Sequence, residues 1–141
     1  MSTKREQILA ALPTLLANAT AVCANIGRER SRPWPQGVAL SLNIVPESDP
    51  RQDTGGVDYT DRVLIVDFQI TARGDGPSTL ADPVVEALHN RLMSDRTVGG
   101  LAIDIAAGDN DFEWDDADRD YCIVHQRYQI LYRTSETNLS A

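Results

Sequence analysis

Strict alternation of apolar and polar side chains constrains the fold of this chain more than any other feature. From residue 63 to 72 (VLIVDFQITA) every second residue is apolar, which is the period of a β-strand with one buried face. Residues 38–45 (VALSLNIV) alternate in the same way. Together the two segments predict a long antiparallel hairpin around the residues between them.

The first of two helices is predicted near the N-terminus, where apolar residues recur at spacings of three and four up to about residue 23. Thr3 and Glu6 have the spacing of a capping box at its start. Pro13 falls inside the pattern and is expected to kink or split the helix, because proline lacks the N–H that the helix needs. Gly27 ends the pattern.

The second helix is predicted over residues 79–95, where leucine and valine recur every four residues. Thr79 or Asp82 can cap it. Pro83 then falls in the first turn, where its missing N–H costs nothing.

Three further segments complete the predicted sheet: a short polar edge strand over 26–32, a short strand over 101–106 and a long strand over 122–133. The last can present one apolar face only if its pairing tolerates Gln126. The expected fold is α+β: a mainly antiparallel curved sheet of four to five strands with two helices packed against it. We expect a single domain over 1–134 and a frayed polar tail over 135–141.

Residues 46–61 form an unusual segment, with two prolines, two adjacent glycines and few apolar side chains. A loop of this length inside a small domain is normally functional or disordered. We expect a mobile loop that becomes ordered on a partner. Its candidate contact residues are Asp53, Gly55, Gly56 and Tyr59.

Charge is concentrated in one place. The chain has 141 residues and a formal net charge of −8, whereas residues 109–120 alone carry seven acids and one base. This balance argues against a general nucleic-acid-binding protein, which would need a basic face. No apolar run is long enough to span a membrane, and the N-terminus does not have the pattern of a signal peptide. The acidic stripe consists of Asp109, Asp111, Glu113, Asp115, Asp116, Asp118 and Asp120.

The stripe is similar to a calcium-binding loop only in part. The sixth position of an EF-hand loop needs glycine and is Trp114 here, and the twelfth needs glutamate and is Asp120. A solvated acidic strand and turn, with Phe112 and Trp114 on the opposite face, is the simpler interpretation. A calcium-dependent binding module remains an alternative.

No arrangement of residues predicts catalysis. His89 and His125 have no neighbouring cysteine or triad-like aspartate in sequence, and Cys23 and Cys122 have no zinc spacing. Nucleophile-elbow, metalloprotease and phosphate-loop motifs are absent. We therefore predict a protein that is not an enzyme and needs no cofactor.

Aromatic and arginine side chains predict an interaction surface instead, because these residue types are enriched in protein interfaces. Trp34 lies between two prolines and close to three arginines. Its alternative role is packing against the edge of the sheet. The candidate interface residues are Arg28, Arg30, Arg32, Trp34, Phe112 and Trp114.

Several phrases of the sequence resemble one known family: REQILAAL, DRVLIVDFQITARGDG, TLADPVVEALHNRLMSDRTVGGLAIDI, DFEWDDADRDY and IVHQRYQILYRT. Across residues 4–134 their order is similar to that of the tail terminator, or tail completion, proteins of long-tailed bacteriophages and prophages (minor tail protein U-like). These phrases are a pattern of element order, and none is a catalytic signature. Neighbouring head-to-tail connector families have similar layouts.

The resemblance implies a structural virion protein with an α+β fold and no chemistry. It implies a homohexameric ring at the head-proximal end of the tail tube, which ends polymerisation of the major tail tube protein. The same ring would present the head-tail joining surface to a head completion or connector protein. It also implies a place in the virion tail, after assembly in the host cytoplasm, with DNA only passing through the lumen and no membrane partner. Another connector or tube-associated component of the same particle is the alternative.

Two roles are open for the acidic stripe in such a ring. It could contact Arg28, Arg30 and Arg32 of a neighbouring subunit, since a ring joins two different surfaces. It could instead line the lumen, where carboxylates repel DNA phosphates.

Overall fold

The computed structural model describes residues 2–18, 20–30, 34–35, 37–52, 57–114 and 120–141. In these residues it has two helices and six strands. They are, in chain order, α1 (Lys4–Ala17), β1 (Ile26–Arg28), β2 (Leu40–Ser48), β3 (Arg51–Gln52), β4 (Tyr59–Arg73), α2 (Pro77–Ser94), β5 (Asp104–Trp114) and β6 (Tyr121–Ser135).

The strands form one open sheet in the order β1-β2-β4-β6-β5, with β3 also paired to β4. Only the β1–β2 pair is parallel, and the other pairs are antiparallel. The fold is therefore α+β with a mainly antiparallel sheet, as predicted, although it has six strands where four to five were expected. The extra strand is the two-residue β3, which sequence periodicity cannot reveal.

One face of the sheet carries the core. Leu64, Val66, Phe68 and Ile70 alternate along β4 and have almost no exposed surface. Both helices pack their apolar side chains into the same cluster. Because each fully buried aliphatic or aromatic side chain stabilises the fold by about 1.5–3 kcal/mol, this face holds the domain together. No helix in the described part of the chain covers the other face, which we call the open face.

Helix α1 begins as predicted and ends earlier than predicted. The Thr3 side chain accepts a hydrogen bond from the Glu6 backbone N–H at 3.2 Å. Pro13 lies inside the helix and does not end it. The chain becomes extended at Asn18, so the prediction that the helix continues to about residue 23 is wrong. Val22 is buried all the same, which explains why it fitted the apolar pattern.

Helix α2 begins two residues before the predicted start. Gly76 is the N-cap, with a left-handed backbone (φ 66°), and Pro77 is at the first helical position, where proline is favoured. The predictions that Thr79 or Asp82 caps the helix are therefore wrong. Pro83 lies inside the helix, beyond the first turn where it was expected.

The loop predicted over residues 46–61 is much shorter. Strand β2 continues to Ser48, β3 pairs Arg51 with Arg62, and β4 begins at Tyr59. Pro46 is tolerated in β2 because β1 pairs only with residues 42–44, so β2 is an edge strand beyond Ile44 and needs no N–H there. Residues 53–56 lie outside the described residues.

The acidic stripe begins inside a strand. Strand β5 runs from Asp104 to Trp114, so the short strand predicted over 101–106 begins three residues too early and ends eight residues too soon. The register shifts between Ala107 and Asn110, as in a β-bulge. The prediction for the last strand is confirmed: β6 alternates along its whole length, and Gln126 lies in the buried set.

The C-terminal residues are hydrogen-bonded to the body of the protein. The Lys4 N–H donates to the carbonyl of Leu139 at 2.7 Å, and the Glu136 N–H donates to that of Asp58 at 3.1 Å. The polar sequence predicted fraying, whereas the structure gives these backbone groups partners at the start of α1 and directly before β4.

Candidate assembly surfaces

The two ends of the sheet carry the candidate interface residues. Strand β1 is the last strand at one end and β5 is the last at the other. Arg28, Arg30 and Trp34 lie at the β1 end, whereas Phe112 and Trp114 lie on β5. The structure therefore separates the predicted interface residues into two surfaces, and Arg32 lies outside the described residues.

At the β1 end the arginines already have partners within the chain. Arg28 pairs with Glu6 at 2.6 Å and lies 3.3 Å from Glu29. The guanidinium of Arg30 lies 4.0 Å from the centroid of the Trp34 ring, a cation–π contact. The Trp34 ring also lies beside Gly27 on β1, where an added Cβ atom would be 3.4 Å from its Cζ2. Trp34 thus packs against the sheet edge, and Arg30 is the more exposed of the two described arginines.

At the β5 end the strand separates the acids from the aromatic residues. Asp111 and Glu113 are in register with His125 and Ile123 on the open face. Phe112 and Trp114 are in register with Val124 and Cys122, whose side chains face the core.

The remaining acids of the stripe lie around this strand. Asp109 is in the bulge, and Asp120 accepts a hydrogen bond from the Gly74 N–H through its backbone carbonyl at 2.8 Å. Asp115, Asp116 and Asp118 fall outside the residues that the structure describes.

On the open face, one acid of the stripe, Asp111, is fixed in place by an ion pair within the chain. Arg127 on β6 donates to Glu47 of β2 at 2.5 Å and to Asp111 of β5 at 2.8 Å. The carboxylates of Asp111 and Glu47 raise the pKa of Arg127 above its ordinary value. The side chain therefore remains charged and connects two strands that are not neighbours in the sheet.

His125 lies between two carboxylates on the same face. Its Nδ1 is 2.7 Å from Oδ2 of Asp67, and its Nε2 is 3.7 Å from Oε2 of Glu113. Asp67 is only 2% exposed. Sequence reasoning missed this pair because the two residues are distant in the chain and become neighbours only through the β4–β6 register, although both mark the polar face of an alternating strand.

Phe112 and Trp114 are exposed although they are on the core side of the sheet, at 57% and 39% of their full surface. A groove of about 560 Å³ lies beside Phe112, with α2 as its other wall. Its apolar lining comes from Pro83 and Val85 of α2 and from Val124 of β6. Helix α2 does not reach over this part of β5.

Of the four candidate contact residues in the predicted loop, Tyr59 alone is described, since Asp53, Gly55 and Gly56 lie outside the described residues. It is the first residue of β4. The guanidinium of Arg133 lies 3.8 Å from its ring centroid and donates to Asp61 at 2.7 Å. Tyr59 thus belongs to the sheet.

The described residues contain no group of three or more histidine, cysteine, aspartate or glutamate side chains that could hold a metal ion. His89 is hydrogen-bonded to the hydroxyl of Tyr128 at 2.9 Å, so both histidines have structural partners. Cys23 and Cys122 are free and buried, and burial raises the pKa of both thiols. None of the helices that the structure describes has the length and hydropathy of a membrane span.

Comparisons with known proteins bear on the fold alone. A scan against models of known protein families gives no match, and a search of curated proteins gives none either. The structure does match a chain of the virion of a native gene transfer agent (GTA) particle, with a TM-score of 0.56 and 11% sequence identity. The match covers 94% of this chain and 92% of that chain. Nearly the whole domain therefore has the fold of a virion component.

Proposed function

We propose that this protein is a structural component of a phage-like virion. The observation that carries the proposal is the match to a chain of a gene transfer agent virion, which extends over nearly all of both chains.

Within such a particle, the role that we propose is that of a tail terminator. The chain would form a homohexameric ring on the head-proximal end of the tail tube, end the polymerisation of the tube protein and present a surface to the head connector. The resemblance of residues 4–134 to that family supports the proposal. So does the separation of the two candidate surfaces, because a ring needs two different surfaces on each subunit.

The decisive experiment measures mass in solution by light scattering after gel filtration, over a range of concentrations. A species near six subunits supports the ring. If the protein is a monomer, it is mixed with the tube protein of the same particle, and the length of the tubes is measured by electron microscopy. A monomer that neither binds tube ends nor limits tube length contradicts the terminator role.

Two positions in the ring are proposed for the acidic stripe. To distinguish them, Asp109 and Glu113 are both replaced by lysine in one double variant. In the control, Glu86, an exposed acid of α2, is replaced by lysine. Loss of the ring with the double variant alone places the stripe at a subunit contact. An intact ring whose particles no longer deliver DNA places it along the lumen, and unchanged assembly and delivery contradict both positions.

Other connector or tube-associated components of the same particle are the second candidate, since their layouts are similar. A protein that binds the purified connector but not the tube end would favour this role. A calcium-dependent module has weaker support, because successive carboxylates on one face of a strand are about 6–7 Å apart and do not surround an ion. A saturable micromolar change in tryptophan fluorescence on addition of Ca²⁺ would favour the module.

A further inference from the structure

Strand β5 is the last strand at its end of the sheet, and its outer edge has no paired strand among the described residues. Accessible side chains lie on both faces of β5. In the described residues β5 pairs with β6 alone. Every residue from Asp109 to Trp114 is exposed, although one face of an ordinary edge strand would be buried. The backbone N–H and C=O groups of such an edge can bind a further strand.

The two faces of this strand differ in chemistry. On the core side, Phe112 stands beside the groove whose apolar lining comes from Pro83, Val85 and Val124. Trp114, two residues further along the strand, is also exposed on this side. On the open side, the Asp111 and Glu113 side chains are 58% and 62% exposed, and Asp109 is exposed beside them. A strand added here would place its own side chains alternately on these two faces.

We infer that the β5 edge binds an extended segment of a partner protein in which apolar and basic residues alternate. Apolar side chains of the segment pack against Phe112 and into the groove. Its lysines or arginines lie near Asp109, Asp111 and Glu113, where an opposite charge across two strands is favourable. Asp111 also pairs with Arg127 of its own chain. Main-chain hydrogen bonds to residues 109–114 supply the remaining affinity, as in other cases of strand addition.

The same charges disfavour two other occupants. Two copies of this chain paired through their β5 edges would bring like charges together, which destabilises a strand pair. Nucleic acid is repelled by the carboxylates. The inference does not require the tail terminator role, because it rests on this edge of the sheet alone.

Fluorescence anisotropy with labelled synthetic peptides tests the inference. One peptide alternates valine and arginine, the second has the same composition in two blocks, and the third alternates valine and glutamate. We expect saturable binding of the first, about tenfold weaker binding of the second and no binding of the third. Hydrogen exchange on the bound protein should show new protection of the amides of residues 109–114.

Matched variants separate strand addition from adsorption of a cationic peptide. Phe112→Thr removes the aromatic ring but keeps a residue that favours strands, and Asp109→Asn with Glu113→Gln removes two charges. Both should weaken binding about tenfold, whereas the controls Leu139→Thr and Asp75→Asn, at exposed positions elsewhere, should not. Circular dichroism confirms that each variant is folded.

Three outcomes overturn the inference: equal binding of the alternating and block peptides, equal loss in the control variants, or peptide binding without protection of residues 109–114. A fourth is a change in the solution mass of the protein caused by Phe112→Thr together with unchanged peptide binding. That result assigns the groove to a contact between copies of this chain.

Discussion

The guanidinium of Arg91 donates a hydrogen bond to the backbone carbonyl of Leu15 at 2.8 Å. Arg91 is in the last turn of α2 and Leu15 is in the last turn of α1. The same guanidinium donates to the carbonyls of Asn18 at 2.7 Å and Thr20 at 2.5 Å. The C-terminal carbonyls of a helix have no partners within it, so Arg91 supplies donors where α1 ends and holds the two helices together.

We therefore predict that Arg91→Gln lowers the free energy of unfolding by about 1–3 kcal/mol, because hydrogen bonds from a charged donor are lost. Arg91→Lys should lower the free energy of unfolding by a smaller amount, since an ammonium group keeps the charge but cannot reproduce the planar fork of guanidinium. Urea denaturation measures the effect. The control is Arg96→Lys, which changes an exposed arginine paired with Asp104 and should leave stability nearly unchanged. An equal effect at both positions would contradict the bridging role.

Gly108 should be required in the bulge of β5. A Cβ atom there would lie 3.1 Å from the backbone carbonyl oxygen of Arg127, and backbone cannot move aside as a flexible side chain can. We expect Gly108→Ala to cost about 1–3 kcal/mol, the usual range for overpacking. Gly37→Ala is the matched control, since among the described residues no atom beyond Gly37 and its chain neighbours lies within 4 Å of the added methyl group. Equal denaturation midpoints for the two variants would contradict the prediction.

The contact between His125 and Asp67 should stabilise the middle of the sheet. Removing the imidazole with His125→Leu leaves a nearly buried carboxylate without this donor, which should cost about 1–3 kcal/mol. His125→Asn should cost less, because its amide can still donate to Asp67. Equal losses of stability in the two variants, measured in urea, would show that the ring acts through packing alone.

Stability at alkaline pH should depend on Tyr132. Its side chain is buried, and its hydroxyl donates to Asp49 at 2.6 Å. Burial first, and then the Asp49 carboxylate, raise the pKa of Tyr132 above its ordinary value of about 10. A group whose pKa is raised by folding contributes stability that is complete below the unfolded-state pKa and is lost as the pH rises through the folded-state pKa.

The free energy of unfolding should therefore fall from about pH 10 upward. Tyr132→Phe should lower stability at neutral pH by about 1–3 kcal/mol and make the alkaline decline shallower. Some decline should remain, because burial also raises the pKa of Tyr128. Denaturation curves at a series of pH values test this, and parallel declines in the two proteins would exclude Tyr132 as a cause.

Local sequence patterns predicted the elements but not all their ends. The alternation along Val63–Ala72 and along residues 122–133 gave both central strands, because one buried face imposes a period of two. The C-terminal end of α1 was misjudged because Val22 is buried outside the helix. The composition of residues 46–61 predicted a loop, and only the shortness of β1 makes Pro46 acceptable within β2.

The candidate surfaces were predicted as residue types and not as an arrangement. The sequence indicated Arg28, Arg30, Trp34, Phe112 and Trp114 as candidate interface residues, and the structure assigns the first three and the last two to opposite ends of the sheet. Arg28 is paired with Glu6 of another element as well as with the adjacent Glu29, so only part of its charge balance could be read from its neighbours in sequence.

The sequence alone determined the α+β class, the apolar faces of the strands and helices, and the acidic character of residues 109–120. These properties follow from periodicity and composition, which act over a few residues. The tertiary structure decided which strands are at the edges, how Asp67 meets His125, and why Phe112 remains exposed on a core-facing strand. Those relationships depend on strand order and register, which bring residues together from distant parts of the chain and leave β5 beyond the reach of α2.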